Sequence, residues 1–425
     1  MEERLLHHAW MHTLFNVQDL HTTQGEPIQI IDRGRYNEHE GPDFLESTVQ
    51  IGTMRWHGAV EIHTKASDWL LHGHDSNPHY KNVILHVCYE EDKIIENGHQ
   101  GQRMPTLELK DRIPFHVYSN YEKLNNLHEI PCHGQLHEVV DSLRWASWSD
   151  RLLAERLSTK SERIQYILER NSNNWGRTFF IWLAYGFGLK QNAENMMRLA
   201  EHIPEKYFSR YVHDDDIIHA MCYGAGYLLH TTFQDDWPSH LQQLFTFLQK
   251  KHTWLTPQII QWSRGRMRPV SFPKRRISQF INVYSRHSDL LSTILEQDDV
   301  QVVKNKIQGT AHAYWATHSN WDVPSKTLPI SMGNDFVLRI ILNVCAPFLY
   351  YYGQRTQTPR YCERAIAWLQ DLPKENNAVT RRFAQEGLTA SHAADTQALY
   401  HLMQSYCYEH RCLDCAFGYR LIRKQ

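Results

Sequence analysis

The spacing of apolar residues changes once along this chain, and that change limits what each part can fold into. In the first part PIQIIDRG (27–34), FLESTVQIG (44–52), MRWHGAVEIHT (54–64), NVILHVCYE (82–90) and TLELK (106–110) are alternating or β-branched runs set off by Gly, Pro, Asn and Asp. Such runs pair as strands. From about residue 138 strand signals nearly vanish, and segments such as SLRWASWSDRLLAERLSTKSERIQYILER and WGRTFFIWLAYGFGL repeat their apolar residues every three or four positions, which predicts helices. A helical pattern of Leu5, Leu6, Trp10, Leu14 and Phe15 also precedes the strands, and SDWLLHGH (67–74) opens on a Ser/Asp cap between the third and fourth. The order helix, three strands, helix, strand predicts an α/β unit over residues 1–130. A mostly helical unit follows over 131–425, with HEIPCHGQLHE around Pro131 as the linker and a weaker break at 324–329.

The chain has the material for real cores: 42% of its 425 residues are hydrophobic, with 13 Trp and 21 Tyr, which excludes a disordered tail. Its N-terminus carries two acidic residues and no apolar core segment, unlike a secretory signal, and the most apolar stretch, 336–352, is interrupted by Arg339, Asn343 and Pro347. A cytoplasmic protein with no membrane partner is expected. Charge is uneven. Residues 1–130 hold 11 basic and 20 acidic side chains, whereas 131–425 hold 34 and 27. Between Trp237 and Ser288 there is no Asp or Glu and there are nine basic residues. Within that stretch Arg264, Arg266 and Arg268 precede two prolines, and Lys274, Arg275 and Arg276 open a helix. These six are the expected phosphate contacts, and nucleic acid the expected partner. The alternative is a solvated helical face whose acidic partners come from elsewhere. No Walker A loop or Rossmann glycine fingerprint is present, which argues against a nucleotide-driven motor or dinucleotide chemistry.

Asp43, in GPDF, stands at the mouth of one strand and Glu61 on the next, a separation that a hairpin folds into adjacency. Two carboxylates so placed can hold Mg²⁺ or Mn²⁺ for phosphodiester hydrolysis. His63 and Lys65 follow Glu61 at two-residue intervals on the same strand face and are candidates for orienting water and offsetting charge. This pattern resembles the PD-(D/E)XK nuclease superfamily, with Asp43 opening one core strand and Glu61 on the next. His63 stands where lysine is usual. The resemblance implies a restriction-endonuclease-like fold and a metal-dependent nuclease. A nucleic-acid-binding protein with a degenerate core, and a scaffold in which Asp43, Glu61 and the arginines form ion pairs, are the alternatives. Over its whole length the chain also resembles a bacterial family defined as a domain of unknown function, family 2851. The residues that carry this likeness are GEP (25–27), GPDF, VEIHxxxSDWxxHGH (60–74), NVILHV (82–87), RMRPxxFPxxRIxQ (266–279) and CLDCAxG (412–418).

His72, His74 and His79 suggest a competing cupin or hydrolase site, but no Glu follows the His-x-His pair, so they read as caps of the short helix binding backbone or water. Cys407, Cys412 and Cys415 form a C-x4-C-x2-C run able to close on one metal centre, iron–sulfur or zinc, if a fourth ligand joins them. Cys132 in the linker is the preferred fourth and Cys362 the second choice. Cys88, Cys222 and Cys345 read as core thiols.

Overall fold

The computed structural model describes residues 2–97 and 102–425. They form two compact units: Met1–Trp148 with Arg382–Leu388 and Leu402–Gln425, and Ser149–Arg381 with Thr389–His401. The first unit therefore gathers three stretches of chain, where the sequence suggests one break near residue 131.

In the first unit, α1 (Glu3–His12) buries Leu5, Leu6, Ala9 and Trp10, and Thr13 in the left-handed region ends it. The strands are β1 (Ile28–Asp32), β2 (Arg35–Tyr36), β3 (Phe44–Ile51), β4 (Met54–Lys65), β5 (Val83–Glu90), β6 (Glu96–Asn97), β7 (Gln102–Arg103) and β8 (Thr106–Glu108). Their main sheet is mixed. β1, β3 and β4 run antiparallel in the order β1-β3-β4, β2 pairs with β3, and β5 and β8 continue the sheet in parallel. Gly52, at φ +60°, supplies the left-handed residue of the tight β3–β4 turn, which sets Ile51 opposite Met54, and a register shift between Phe44 and Ser47 then sets Phe44 opposite Val60. Residues 58–63 of β4 are all buried, because α1 and the short α2 (Asp68–Leu71) pack on this strand. A strand buried on both faces is normally apolar. Glu61 and His63 break that rule. In the same unit α3 (Phe115–Leu124) packs on the C-terminal α18 (Ala416–Arg423).

The second unit is helical. Its order is α4 (Ser142–Arg170, which begins in the first unit), α5 (Trp175–Phe187), α6 (Leu189–His202), α7 (Lys206–Arg210), α8 (Asp215–Ala225), α9 (Asp236–Lys251), α10 (Pro273–Arg286), α11 (Leu290–Glu296) and α12 (Val300–Ile307). There follow α13 (Asn334–Ile340), α14 (Ala346–Arg355), α15 (Pro359–Asp371), α16 (Ala378–Gln385, which ends in the first unit) and α17 (Ala393–Leu402). α5 is buried along nearly its whole length, and Phe180, Phe187, Phe280 and Phe348 pack in one continuous core. A π turn, Ile341–Cys345, joins α13 to α14, and a second, Met403–Cys407, follows α17. The stretch Asn334–Arg355 is long and apolar enough to cross a bilayer, and it is mostly buried within the fold. The chain is thus mixed α/β in its N-terminal part and mostly helical beyond it.

Candidate functional site

The β3–β4 hairpin brings Asp43 and Glu61 together and locks them reciprocally. Glu61 Oε2 accepts the Asp43 backbone N–H at 3.0 Å, and Asp43 Oδ2 accepts the Ile62 N–H at 2.9 Å. Neither carboxylate is ion-paired to Lys or Arg among the described residues; histidines surround them instead. His74 Nε2 and His63 Nε2 lie 3.2 and 3.6 Å from Glu61 Oε1, and His7 Nε2, from α1, lies 3.3 Å from Asp43 Oδ2. One nitrogen each of His63, His72 and His74 falls within 4.8 Å of the others. The base of this cluster is closed, with Glu61 5% and His63 1% exposed, while His72 is exposed and Asp43 half-buried at its mouth. The His72/His74 pair thus faces the site, and does more than cap α2.

Electrostatics follows from that burial. Desolvation, with the Asp43 charge second, pushes the Glu61 carboxyl up to about 9. Burial and then the neighbouring imidazoles His86, His74 and His72 push His63 down to about 2, and burial takes His86 to about 3. Burial also lowers His7, but the hydrogen bond and charge of Asp43 outweigh it and hold His7 above its ordinary value. His63 Nδ1 meets His86 Nε2 at 3.0 Å, so a proton on His63 Nδ1 leaves its Nε2 lone pair facing Glu61. His74 Nδ1 and His86 Nδ1 are buried without a hydrogen-bond partner among the described residues, and the His74 ring stacks on Tyr80 at 3.8 Å. Lys65 is exposed at the end of β4, its charge beside Asp92.

The six basic residues divide into two groups. Arg264, Arg266 and Arg268 are exposed on a loop that α6 holds by its amides: Asn192 Nδ2 donates to Ser263 O (2.9 Å), Asn192 Oδ1 accepts the Ser263 N–H (2.9 Å), Gln191 donates to Gly265 O (3.0 Å) and Asn195 to Gln261 O (2.9 Å). Lys274, Arg275 and Arg276 turn inward. Lys274 donates to Asn320 at 2.6 Å, and burial takes its amine down to about 7. Arg275 donates to the carbonyls of Trp315 and Pro329, and Arg276 lies 3.4 Å from the centre of the Phe336 ring and donates to Gln279 at 2.7 Å.

Cys132, Cys407, Cys412 and Cys415 all belong to the first unit. Cys407 ends the second π turn and Cys415 stands at the N-cap position of α18. Burial raises all four thiols, Cys412 to about 12, and the Cys132 and Cys407 thiols also feel the charges of Cys412 and Cys415. Cys362 lies in the other unit and donates to Tyr350 O at 3.4 Å.

A family profile described as a protein of unknown function (DUF2851) matches residues 3–378. The chain belongs to that family. No curated protein and no solved structure matches it. The DUF2851 match takes in the carboxylate–histidine cluster and the basic loop, and it ends before Cys407, Cys412 and Cys415. Within its span, sequence reasoning missed His7, His86 and the inward role of His72 and His74. The signal for the last two was present in the spacing from His63 to His72 and His74, since a short helix folds that loop back over the strand.

Proposed function

We propose that this protein is a metal-dependent nuclease cleaving phosphodiester bonds in DNA or RNA, with a divalent cation held by Glu61, His63, His72 and His74 beside Asp43. The observation that carries the reading is the convergence of the Glu61 carboxylate and three imidazoles at the closed base of a cleft whose mouth is Asp43 and His72. The donor set fits a cation: the buried Glu61 carboxyl has no Lys or Arg beside it among the described residues, and the imidazoles of His63 and His74, kept neutral by burial, are ligands rather than counter-ions. Of the Mg²⁺ and Mn²⁺ expected from sequence, imidazole-rich ligation supports Mn²⁺ and similar transition ions, because Mg²⁺ favours oxygen donors and water. A cation there polarises the phosphate and lowers the pKa of a water. The chain's own residues do the rest: His86 fixes the tautomer of His63, the cross-strand N–H bonds fix both carboxylates, and His7 offers a proton or positive charge next to Asp43.

The order α1, β1, β3, β4, α2, β5 with β4 parallel to β5 supports the PD-(D/E)XK likeness. The exposed, amide-held arginines of the second unit support a nucleic-acid substrate. Carboxylates facing imidazoles instead of arginines speak against the scaffold reading. A binding protein without cleavage is the second reading, favoured by Lys65 standing exposed beside Asp92. We further propose that Cys132, Cys407, Cys412 and Cys415 hold an iron–sulfur cluster or zinc. Eight free thiols support a reducing, cytoplasmic setting.

Titration calorimetry with Mn²⁺ and hydrolysis of labelled DNA and RNA test the first proposal. His86→Ala is expected to weaken Mn²⁺ binding by about 10–100-fold, and Glu61→Gln to weaken it at least as much and abolish cleavage. Equal Mn²⁺ affinity in wild type and both variants would sink the site. Retained metal with no cleavage of any strand would leave the second reading standing.

A further inference from the structure

The second unit contains a cavity of about 680 Å³ between α4, α5, the start of α6 and the π turn Ile341–Cys345. Arg156, Lys160, Lys190 and Arg339 reach it, against a single carboxylate, Glu375; Arg163 also lines it but is paired with Glu194. Gln397 holds that carboxylate off the guanidinium: Arg156 Nε donates to Gln397 Oε1 at 2.5 Å, and Gln397 Nε2 donates to Glu375 Oε2 at 2.7 Å. Lys160 Nζ donates to Asn343 Oδ1 at 2.6 Å, an acceptor that the π turn presents to it. Burial, with the charge of Arg156 second, keeps the Lys160 amine well below its ordinary pKa. Like charges gathered in a cavity raise each other's cost, and an anionic guest removes that cost.

Size and walls narrow the guest. The volume is that of a small-molecule site and exceeds what an inorganic anion fills. Trp182 and Tyr185 lie nearly parallel in the wall with ring centres 5.1 Å apart, and Arg156 lies over Tyr400 at 4.4 Å. At the rim, Lys190 directly precedes Gln191, whose amide holds Gly265 of the basic loop. Cavity and loop therefore share the first turn of α6.

We propose that this cavity binds the phosphate-bearing terminal nucleotide of a nucleic-acid strand, the same chemistry that a free nucleotide presents. The inference rests on the reading of the protein as one that acts on nucleic acid. A terminal phosphate monoester carries nearly two charges near neutral pH and a backbone diester one, so three cations, the Lys160 amine that an anion would help to protonate, and one carboxylate favour an end over an interior. Guanidinium forks suit the end phosphate, and the aromatic wall suits the base.

The test is fluorescence anisotropy with oligonucleotides of one sequence bearing a 5′-phosphate, a 3′-phosphate or neither, in the Glu61→Gln background so that no strand is cut, with ATP as the free nucleotide. One phosphorylated strand is expected to bind about tenfold or more tighter than the unphosphorylated one. Arg339→Ala and Lys190→Ala, both at exposed positions and checked by melting temperature, are expected to remove that preference. Equal binding of all three strands, or a preference surviving both variants, overturns the cavity's role and leaves the nucleic-acid reading intact. If no strand binds, that reading fails and ATP decides: ATP binding weakened about tenfold by Arg339→Ala keeps the cavity as a nucleotide site, and ATP binding that is absent or unaffected overturns it.

Discussion

Arginines in one short segment do opposite work, and burial decides which. Arg275 is 2% exposed and satisfies two backbone carbonyls, so Arg275→Met leaves both acceptors unpaired in the core. At about 1–3 kcal/mol per orphaned group, a loss of about 2–6 kcal/mol and a clear drop in melting temperature are expected. Arg266 and Arg268 lie on the surface, and their joint replacement by Ala should leave melting within about 0.5 kcal/mol of wild type. The same double variant should weaken binding of all sequences and lower the logarithmic salt slope by about 0.7–0.9 per lost contact. An unchanged salt slope in the folded double variant would remove nucleic acid from the loop; an unchanged melting temperature for Arg275→Met would remove the structural role of its hydrogen bonds. Sequence shows six positive charges in this segment but not which of them face carbonyls across the chain. That Asp43 and Glu61 meet is legible because a hairpin is local, but the one-residue register shift between Phe44 and Ser47, which sets their final alignment, leaves no trace in the sequence.

Elements were legible where their signal lies within their own residues. Strand alternation placed β3, β4 and β5, and SDWLLHGH placed α2, although the expected Ser67 cap does not form: its N–H and Oγ both donate to Asp92. The π turns Ile341–Cys345 and Met403–Cys407 left no such trace, since each inserts a wider turn into an apolar run without changing its composition. His86 and the inward role of His74 were missed because their partners come from other elements. His219 on α8, which burial takes down to about 4, has one partner on its own helix and one on α10. It is held neutral between the Asp215 carbonyl at 2.7 Å and Ser278 Oγ at 2.9 Å. With the folded pKa depressed, the unfolded chain binds the proton first, so this residue's share of stability is complete above the unfolded value near 6.5 and declines as pH falls toward about 4. The second unit should lose roughly 1 kcal/mol per pH unit across that window from this group. His219→Gln, though less stable at pH 7, should show a flatter decline in denaturant titrations at pH 7, 6 and 5. Parallel curves would show that His219 does not set the acid sensitivity.

At the scale of the whole chain, the first unit is assembled from segments far apart in sequence, and that has a consequence for truncation. Residues 402–425 supply it with α18, which packs on α3, and with Cys407, Cys412 and Cys415. Asn120 Nδ2 donates to Lys424 O at 2.7 Å, and Lys424 pairs with Glu138 at 2.8 Å, so the terminus is bonded into the unit by several kinds of contact. A chain ending at His401 keeps every segment of the second unit and loses one of the first. Calorimetry should then show one unfolding transition largely retained and another lowered or lost, a separation expected when two units melt on their own terms. Metal analysis of anaerobically purified protein gives the second readout. Full-length protein should carry iron with sulfide, or zinc; the truncated chain should carry neither at these thiols, and Cys132→Ser in the full chain should lower the content. Cys362→Ser should leave it unchanged, since that thiol already donates to Tyr350 O within the second unit. A truncated chain that kept both its metal and its full melting profile would show that the C-terminal cysteines neither bind an ion nor hold the unit together.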